Sequence, residues 1–440
     1  MSFLYSPNVN ATIVNNNGNA TSNAAANVRI ADGVQVDALS RIRTSFVEYQ
    51  SFHVPSIEVD SNFVFSQNTN GTGANTTFNA NTSEAILYSG TASGGFAYRQ
   101  TRTKYKIIPG SSHSVYFTVN FDGATSGCTK RIGLFNVNHG MFWELDNSGN
   151  LNVVVRRANS TGSIYDDRVA STAFNIDKLD GTGPSKFNIS TAGLDKYYTF
   201  WFDFIGGRNG RIRFGLGTPA GPQIAHQFSY SGTLTTPAIT STTLPIRAEV
   251  YNNTVQSSSP YIQMGGQVFN QESTRKFAPS LATGNSVVGW ASTSTLQPIL
   301  GISLRSTAPF NQQDISFESV TIQDLVNLDS KNSTYGAYLY QWILNPTIGG
   351  ALPTAINAGK ASRYYPYVSG TNTVSGGLVL KSGMFTSSTQ LYALGNLAEN
   401  LNLGADIDDN PDVLVLCIKT VAAGSVAGSL VACVNWTEEL

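Results

Sequence analysis

The residues best able to do chemistry are few, and the densest group is Asp406-Ile407-Asp408-Asp409-Asn410-Pro411-Asp412. Its closely spaced oxygen donors imitate the opening of a calcium-binding loop. The pattern then breaks: Pro411 stands where the turn needs glycine, and Cys417 where a bidentate glutamate belongs. A solvated acidic turn is the preferred reading, and no metal ligand is assigned. Asp177, Asp180 and Gly181 make a second oxygen-rich loop, which Asx-type hydrogen bonds explain without an ion.

His53, His113, His139 and His226 are scattered, with no adjoining carboxylate to fix a tautomer. Neither a zinc site nor a nucleophile–histidine–acid set is read from them. Glu144 beside Trp143 and Asp203 beside Trp201 would serve glycoside cleavage only if they faced each other closely across a cleft. No motif supports that, so both are read as strand residues facing solvent. Trp143, Trp201, Tyr197 and Tyr198 would form a sugar-stacking platform if exposed, but core packing is the default. Gly181-Thr182-Gly183 lacks the strand-to-helix junction of a phosphate cradle.

Six arginines, Arg41, Arg43, Arg99, Arg211, Arg213 and Arg247, recur beside apolar strand positions. Two readings stay open for them: packed ion pairs, which the planar guanidinium suits, or a wet strand face. Cys128, Cys417 and Cys433 lack metal-ligand spacing. The last two flank an apparent final hairpin whose spacing allows a bridge, although buried free thiols are the preferred reading.

The elements that must position these groups are strands. Val115, Phe117, Val119 and Phe121 alternate with less apolar residues, the period of a half-buried strand. Met141, Trp143 and Leu145 run into the turn Asp146-Asn147-Ser148-Gly149, and Leu151, Val153 and Val155 return, which predicts a hairpin. Tyr198, Phe200, Phe202 and Phe204 line another strand. Short helices are expected only near Ile322–Leu328 and Leu391–Leu401, and the chain ends in Val413–Ile418 and Leu430–Trp436. Many short strands parted by Gly-, Asn- and Ser-rich turns predict an all-β jelly-roll sandwich. Three regions are expected: an Asn- and Ala-rich arm at 1–40, with a hairpin turn at Asp32-Gly33, a sandwich at 41–290 and a β-rich region at 291–440.

Composition narrows the function. Only 12% of the 440 residues are charged, against roughly a quarter in ordinary proteins. The net charge of −1 gives no basic field for nucleic acid. No apolar run is long enough for a membrane helix, and the N-terminus does not read as a signal peptide. A polar but sparsely charged surface suits permanent assembly.

An ordered series of short patterns carries a resemblance. It includes Asp37-Ala-Leu-Ser-Arg41-Ile-Arg43, Tyr98-Arg99-Gln100-Thr101, Tyr105 before Pro109-Gly110, Arg131-Ile-Gly-Leu-Phe135, and His139-Gly140-Met-Phe142. It continues with Asp177-Lys-Leu-Asp180-Gly181-Thr-Gly183-Pro184-Ser185, Gly210-Arg-Ile-Arg213-Phe214-Gly215, Ala225-His226, Leu244-Pro245-Ile-Arg247 and Asn435-Trp436-Thr-Glu438. In this order and spacing the chain resembles a family of virion structural proteins of tailed bacteriophages and large DNA viruses. One departure is Met264-Gly265-Gly266, where the family has a Glu-Gly-Gly pattern.

The resemblance implies a lectin-like, concanavalin-type sandwich displayed on a virus particle and anchored by its N-terminal arm. The expectation is therefore a nonenzymatic virion component, of capsid-decoration or fibre type, without cofactor. Its partners would be other virion proteins and copies of itself, a trimer by analogy, with no nucleic acid and no membrane. The alternative is a carbohydrate-binding adhesin or receptor-binding protein of the virion that takes a host-surface glycan.

Overall fold

The computed structural model describes residues 49–53 and 65–439, apart from 109, 160, 206–209, 220, 235–236, 272–279, 291–294, 308–313, 325–336, 360, 368–371, 387–391, 394–402 and 422–427. The expected arm at 1–40, together with Arg41 and Arg43, lies outside the described residues.

Strands dominate, and they form two groups. In the first group an eight-stranded antiparallel sheet runs Gly221–Ser229, Arg211–Thr218, Tyr198–Ile205, Ser112–Asn120, Tyr261–Gln271, Glu84–Ser89 and Ala74–Asn79, with Tyr49–His53 also paired to Tyr261–Gln271. The second sheet has seven strands: Ile164–Ala170, Leu151–Ala158, Gly140–Leu145, Cys128–Phe135, Ile246–Asn252, Phe96–Thr101 and Phe65–Asn70. Because strand side chains alternate between faces, one apolar set from each sheet meets in a shared core. Phe117 sits opposite Phe200, and Val115 opposite Phe202. Trp143, fully buried, packs its ring 5.0 Å from Phe200 and 5.7 Å from Phe214. Its indole N–H donates to the Trp201 carbonyl at 3.3 Å, which satisfies the one polar atom so enclosed.

The predicted hairpin forms, with Trp143 opposite Val153 and Leu145 opposite Leu151. Gly149 takes φ +86° in its turn, a conformation that favours glycine. Met264-Gly265-Gly266, the departure from the family pattern, falls inside Tyr261–Gln271. It lies in a strand between two neighbours, where the register slips between Met264 and Gln267, as a bulge does.

The second group has its own core, containing Trp342 and Trp436. Its four-stranded sheet runs Ser280–Trp290, Gly428–Glu439, Asp314–Asp324 and Tyr392–Ala393. Its six-stranded sheet runs Ile356–Asn357, Ser362–Pro366, Gln297–Leu304, Val413–Thr420, Ala337–Leu344 and Leu378–Thr386. Ser280–Trp290 therefore pairs with C-terminal strands, ahead of the division placed near residue 290. Two expectations are corrected. The helix expected from Ile322 is strand as far as Asp324, and Tyr392–Ala393 is strand within the other expected helix. The closing strands Val413–Thr420 and Gly428–Glu439 are not a hairpin; each belongs to a different sheet. Cys417 is accordingly buried in one sheet and Cys433 exposed in the other, both as free thiols.

The two groups meet at the acidic turn. Arg102 donates to Asp412 through Nε at 2.9 Å and through Nη2, and Lys104 reaches Asp409 at 2.7 Å. The Ile407 amide donates to Ser66 Oγ at 3.0 Å.

Candidate functional site

The fold separates the two carboxylates weighed for glycoside cleavage. Glu144 follows the core residue Trp143 and Asp203 follows the core residue Phe202, so they point away from the core on opposite outer faces of the sandwich. They cannot share a substrate. Neither faces solvent as expected, since Glu144 is 1% and Asp203 2% exposed. Asp203 is held by Arg213 from the next strand. Trp143 and Trp201 are buried, and Tyr198 packs on Phe187 and Phe200, as the default reading of core packing has it.

The oxygen-rich loops spend their carboxylates on hydrogen bonds. Asp406 accepts from the Asp408 and Asn410 amides, and Asp412 from Arg102, Asn345 and the Gly404 amide. Asp177 accepts from the Leu179 and Ser185 amides, and Asp180 from Thr182. Three histidines likewise accept backbone N–H groups: His113 from Ile108, His139 from Ala158 and His226 from Asn175. Burial lowers all three, His113 and His226 to about 4, so their neutral form is the one the fold holds.

What the sequence did not disclose is the outer face of the second sheet. Strand register sets Asn68, Tyr98, Glu249, Arg131, Glu144 and Asn152 in one line across six strands, a span of roughly 24 Å at ordinary strand spacing. The next row holds Gln100, Arg247, Gly133, Phe142, Val154 and Arg168. A Cβ at Gly133 would meet the Met141 carbonyl at 2.2 Å and the Phe142 Cα and Cβ at 2.5 Å, so glycine is needed for the close approach of that strand.

Ion pairs link the rows without a break. Arg156 grips Asp166 with two bonds of 2.8 and 2.9 Å. Arg168 bridges Asp166 at 3.2 Å and Glu144 at 2.7 Å. Arg131 joins Glu144 at 2.7 Å to Glu249 at 3.3 Å. Arg247 then bonds Glu249 at 2.6 Å and Gln100 at 2.8 Å, and Gln100 reaches the Asp406 carbonyl at 3.5 Å. Guanidinium planes alternate with rings along the same face. Arg247 lies 4.9 Å from the Tyr98 ring and 5.9 Å from Phe135, and Phe142 carries Arg131 at 5.5 Å and Arg156 at 5.1 Å, all within cation–π range. Phe96 stacks on Tyr98 at 4.3 Å, while Tyr251 sits opposite Phe96. The ion-pair reading thus holds for Arg213 and Arg247.

Burial would raise the Glu249 carboxyl, but Arg247 and Arg131 outweigh it and hold it below the usual carboxylate range. Asp166 is lowered in the same way, its burial overcome by Arg156 and Arg168. Burial and the nearby Glu249 push the Tyr98 phenol up to about 12, keeping it a proton-bearing donor. Glu249 and Asp166 are therefore fixed acceptors that hold the guanidinium groups in place. Arg131, Arg168, Tyr98, Tyr251 and Asn68 remain reachable from solvent.

No family model matches the chain, and no curated protein matches it. Solved structures match about half of it. They include the β-glucanase of Bacillus licheniformis, 12% identical over 52% of this chain and 100% of that one, TM-score 0.31. A lichenase from a mouse hindgut metagenome is 9% identical over 50% and 98%, TM-score 0.31, and a β-1,3-glucanase of Mycobacterium marinum 11% identical over 52% and 100%, TM-score 0.31. The all-β jelly-roll sandwich expected from the sequence stands on the two facing sheets and their shared core. The expectation of a nonenzymatic chain is corrected: the solved structures that match half of it are named as a β-glucanase, a lichenase and a β-1,3-glucanase.

Proposed function

We propose that the outer face of the second sheet is a carbohydrate-recognition surface. The observation that carries this is the register-aligned row of Asn68, Tyr98, Glu249, Arg131, Glu144 and Asn152. A sugar presents many hydroxyls that each donate and accept, so its recognition needs polar partners already fixed in place and desolvated rings beside them. The ion-pair ladder supplies the first, and the edges of Tyr98 and Tyr251 the second. Screening the full chain against a glycan array should give saturable binding. Tyr251→Ala should weaken that binding at least tenfold in calorimetry while leaving the circular dichroism spectrum unchanged. Binding to no glycan on the array would remove the proposal.

The motif series further supports a place for this surface on a virus particle, with residues 1–40 as anchor and virion proteins or sibling copies as partners. Deleting residues 2–36 should then leave a folded body that no longer joins particles, as sedimentation of assembled virions would register. Normal incorporation of the shortened chain would refute the anchor.

A further inference from the structure

In the ladder on the second sheet Arg247 and Arg156 are as buried as the acids, at 4% and 11%, while the other two arginines are not. The carboxylates have side-chain exposures of 2% for Glu144, 10% for Glu249 and 17% for Asp166. The guanidinium groups of Arg168, at 39%, and Arg131, at 23%, lie nearer solvent. Four arginines, Arg131, Arg156, Arg168 and Arg247, meet three acids in the network, which leaves one positive charge over. Arg131 and Arg168 both donate to Glu144 Oε2, at 2.7 and 3.3 Å, so their guanidinium groups stand within two hydrogen-bond lengths of each other. Nη2 of Arg131 and Nη1 of Arg168 bond to no described residue.

Resting on the carbohydrate reading of this face, we propose that the glycan it takes is acidic, and that Arg131 and Arg168 bind the carboxylate of a uronic-acid residue. Two adjacent guanidinium groups with free N–H donors match a planar, two-oxygen anion, as bidentate arginine–carboxylate pairs do. A neutral sugar would find the accessible layer rich in donors and its acceptors already occupied. A carboxylate neutralises the uncompensated charge at the point where it is most exposed.

The test uses the full chain in calorimetry against a panel of uronic-acid oligosaccharides, the same oligosaccharides with carboxyls reduced to alcohols, and sulfated neutral oligosaccharides. At least one acidic member should bind tenfold or more tighter than its reduced counterpart, with the difference shrinking in high salt. Arg168→Gln, at an exposed position, should abolish that difference, whereas Tyr251→Ala should weaken acidic and reduced forms alike. Equal affinity for acidic and reduced sugars would overturn the inference and leave the carbohydrate reading in place. Preference for the sulfated set would overturn the carboxylate assignment. Failure of all sets to bind would overturn the acidic-glycan inference, and absence of binding across the glycan array as well would overturn the carbohydrate reading.

Discussion

His113 shows how a side chain that looks chemical becomes structural. It is buried against Phe204, ring to ring at 5.0 Å, and its Nε2 accepts the Ile108 amide. Burial lowers it to about 4, against about 6.5 in an unfolded chain. The unfolded state therefore binds the proton more readily. The stability that neutral His113 contributes is complete above pH of about 6.5 and is lost as pH falls towards about 4, up to about 3 kcal/mol. Urea midpoints at about pH 7 and about pH 4.5 should fall further for the wild-type protein than for His113→Gln. An equal fall in both would show that His113 does not titrate with folding. The arginines follow the opposite logic. Glu144, nearly inaccessible, would be costly alone, and is held in place by Arg131 and Arg168.

Among elements, the strands were legible and their partners were not. Alternation at Val115–Phe121 and Tyr198–Phe204, and the turn at Asp146–Gly149, fixed strand positions because a period of two is local information. The final hairpin failed because an apolar run does not say which strand it joins. Val413–Thr420 is buried on both faces in the middle of one sheet, between Gln297–Leu304 and Ala337–Leu344, while Gly428–Glu439 lies between Ser280–Trp290 and Asp314–Asp324. The binding face was missed for the same reason. Glu144, Arg131 and Glu249 come from three strands, and only cross-strand register reveals them as one row. A signal was present: Arg131 leads into Ile132, Leu134 and Phe135, Arg156 follows Val153, Val154 and Val155, and Arg247 stands between Ile246 and Ala248, a pattern at odds with a solvent-washed face. Arginine flanked by apolar residues in such strands points to desolvated pairing.

At the scale of the whole molecule, the acidic turn acts as the joint between the two groups of sheets. Asp412 is 3% and Arg102 8% exposed, and Asp412 also accepts from Asn345 and Gly404 of its own group. The Gly404 position is equally constrained, since a Cβ there would meet the Arg102 carbonyl at 2.0 Å. Removing one member of such a pair strands the other charge away from water, at a cost of about 3–5 kcal/mol. Asp412→Asn and Arg102→Met should each lower the unfolding midpoint, and the double variant should lose less than the two added together. A coupling of about 1.5 kcal/mol or more is expected from a double-mutant cycle in urea. Strict additivity would mean that the pair carries no coupling across the joint. The joint also reaches the proposed binding face, because Gln100 bonds Arg247 on one side and the Asp406 carbonyl on the other. The turn that first resembles a cation loop thus does its work through protein donors, bracing the end of the arginine row.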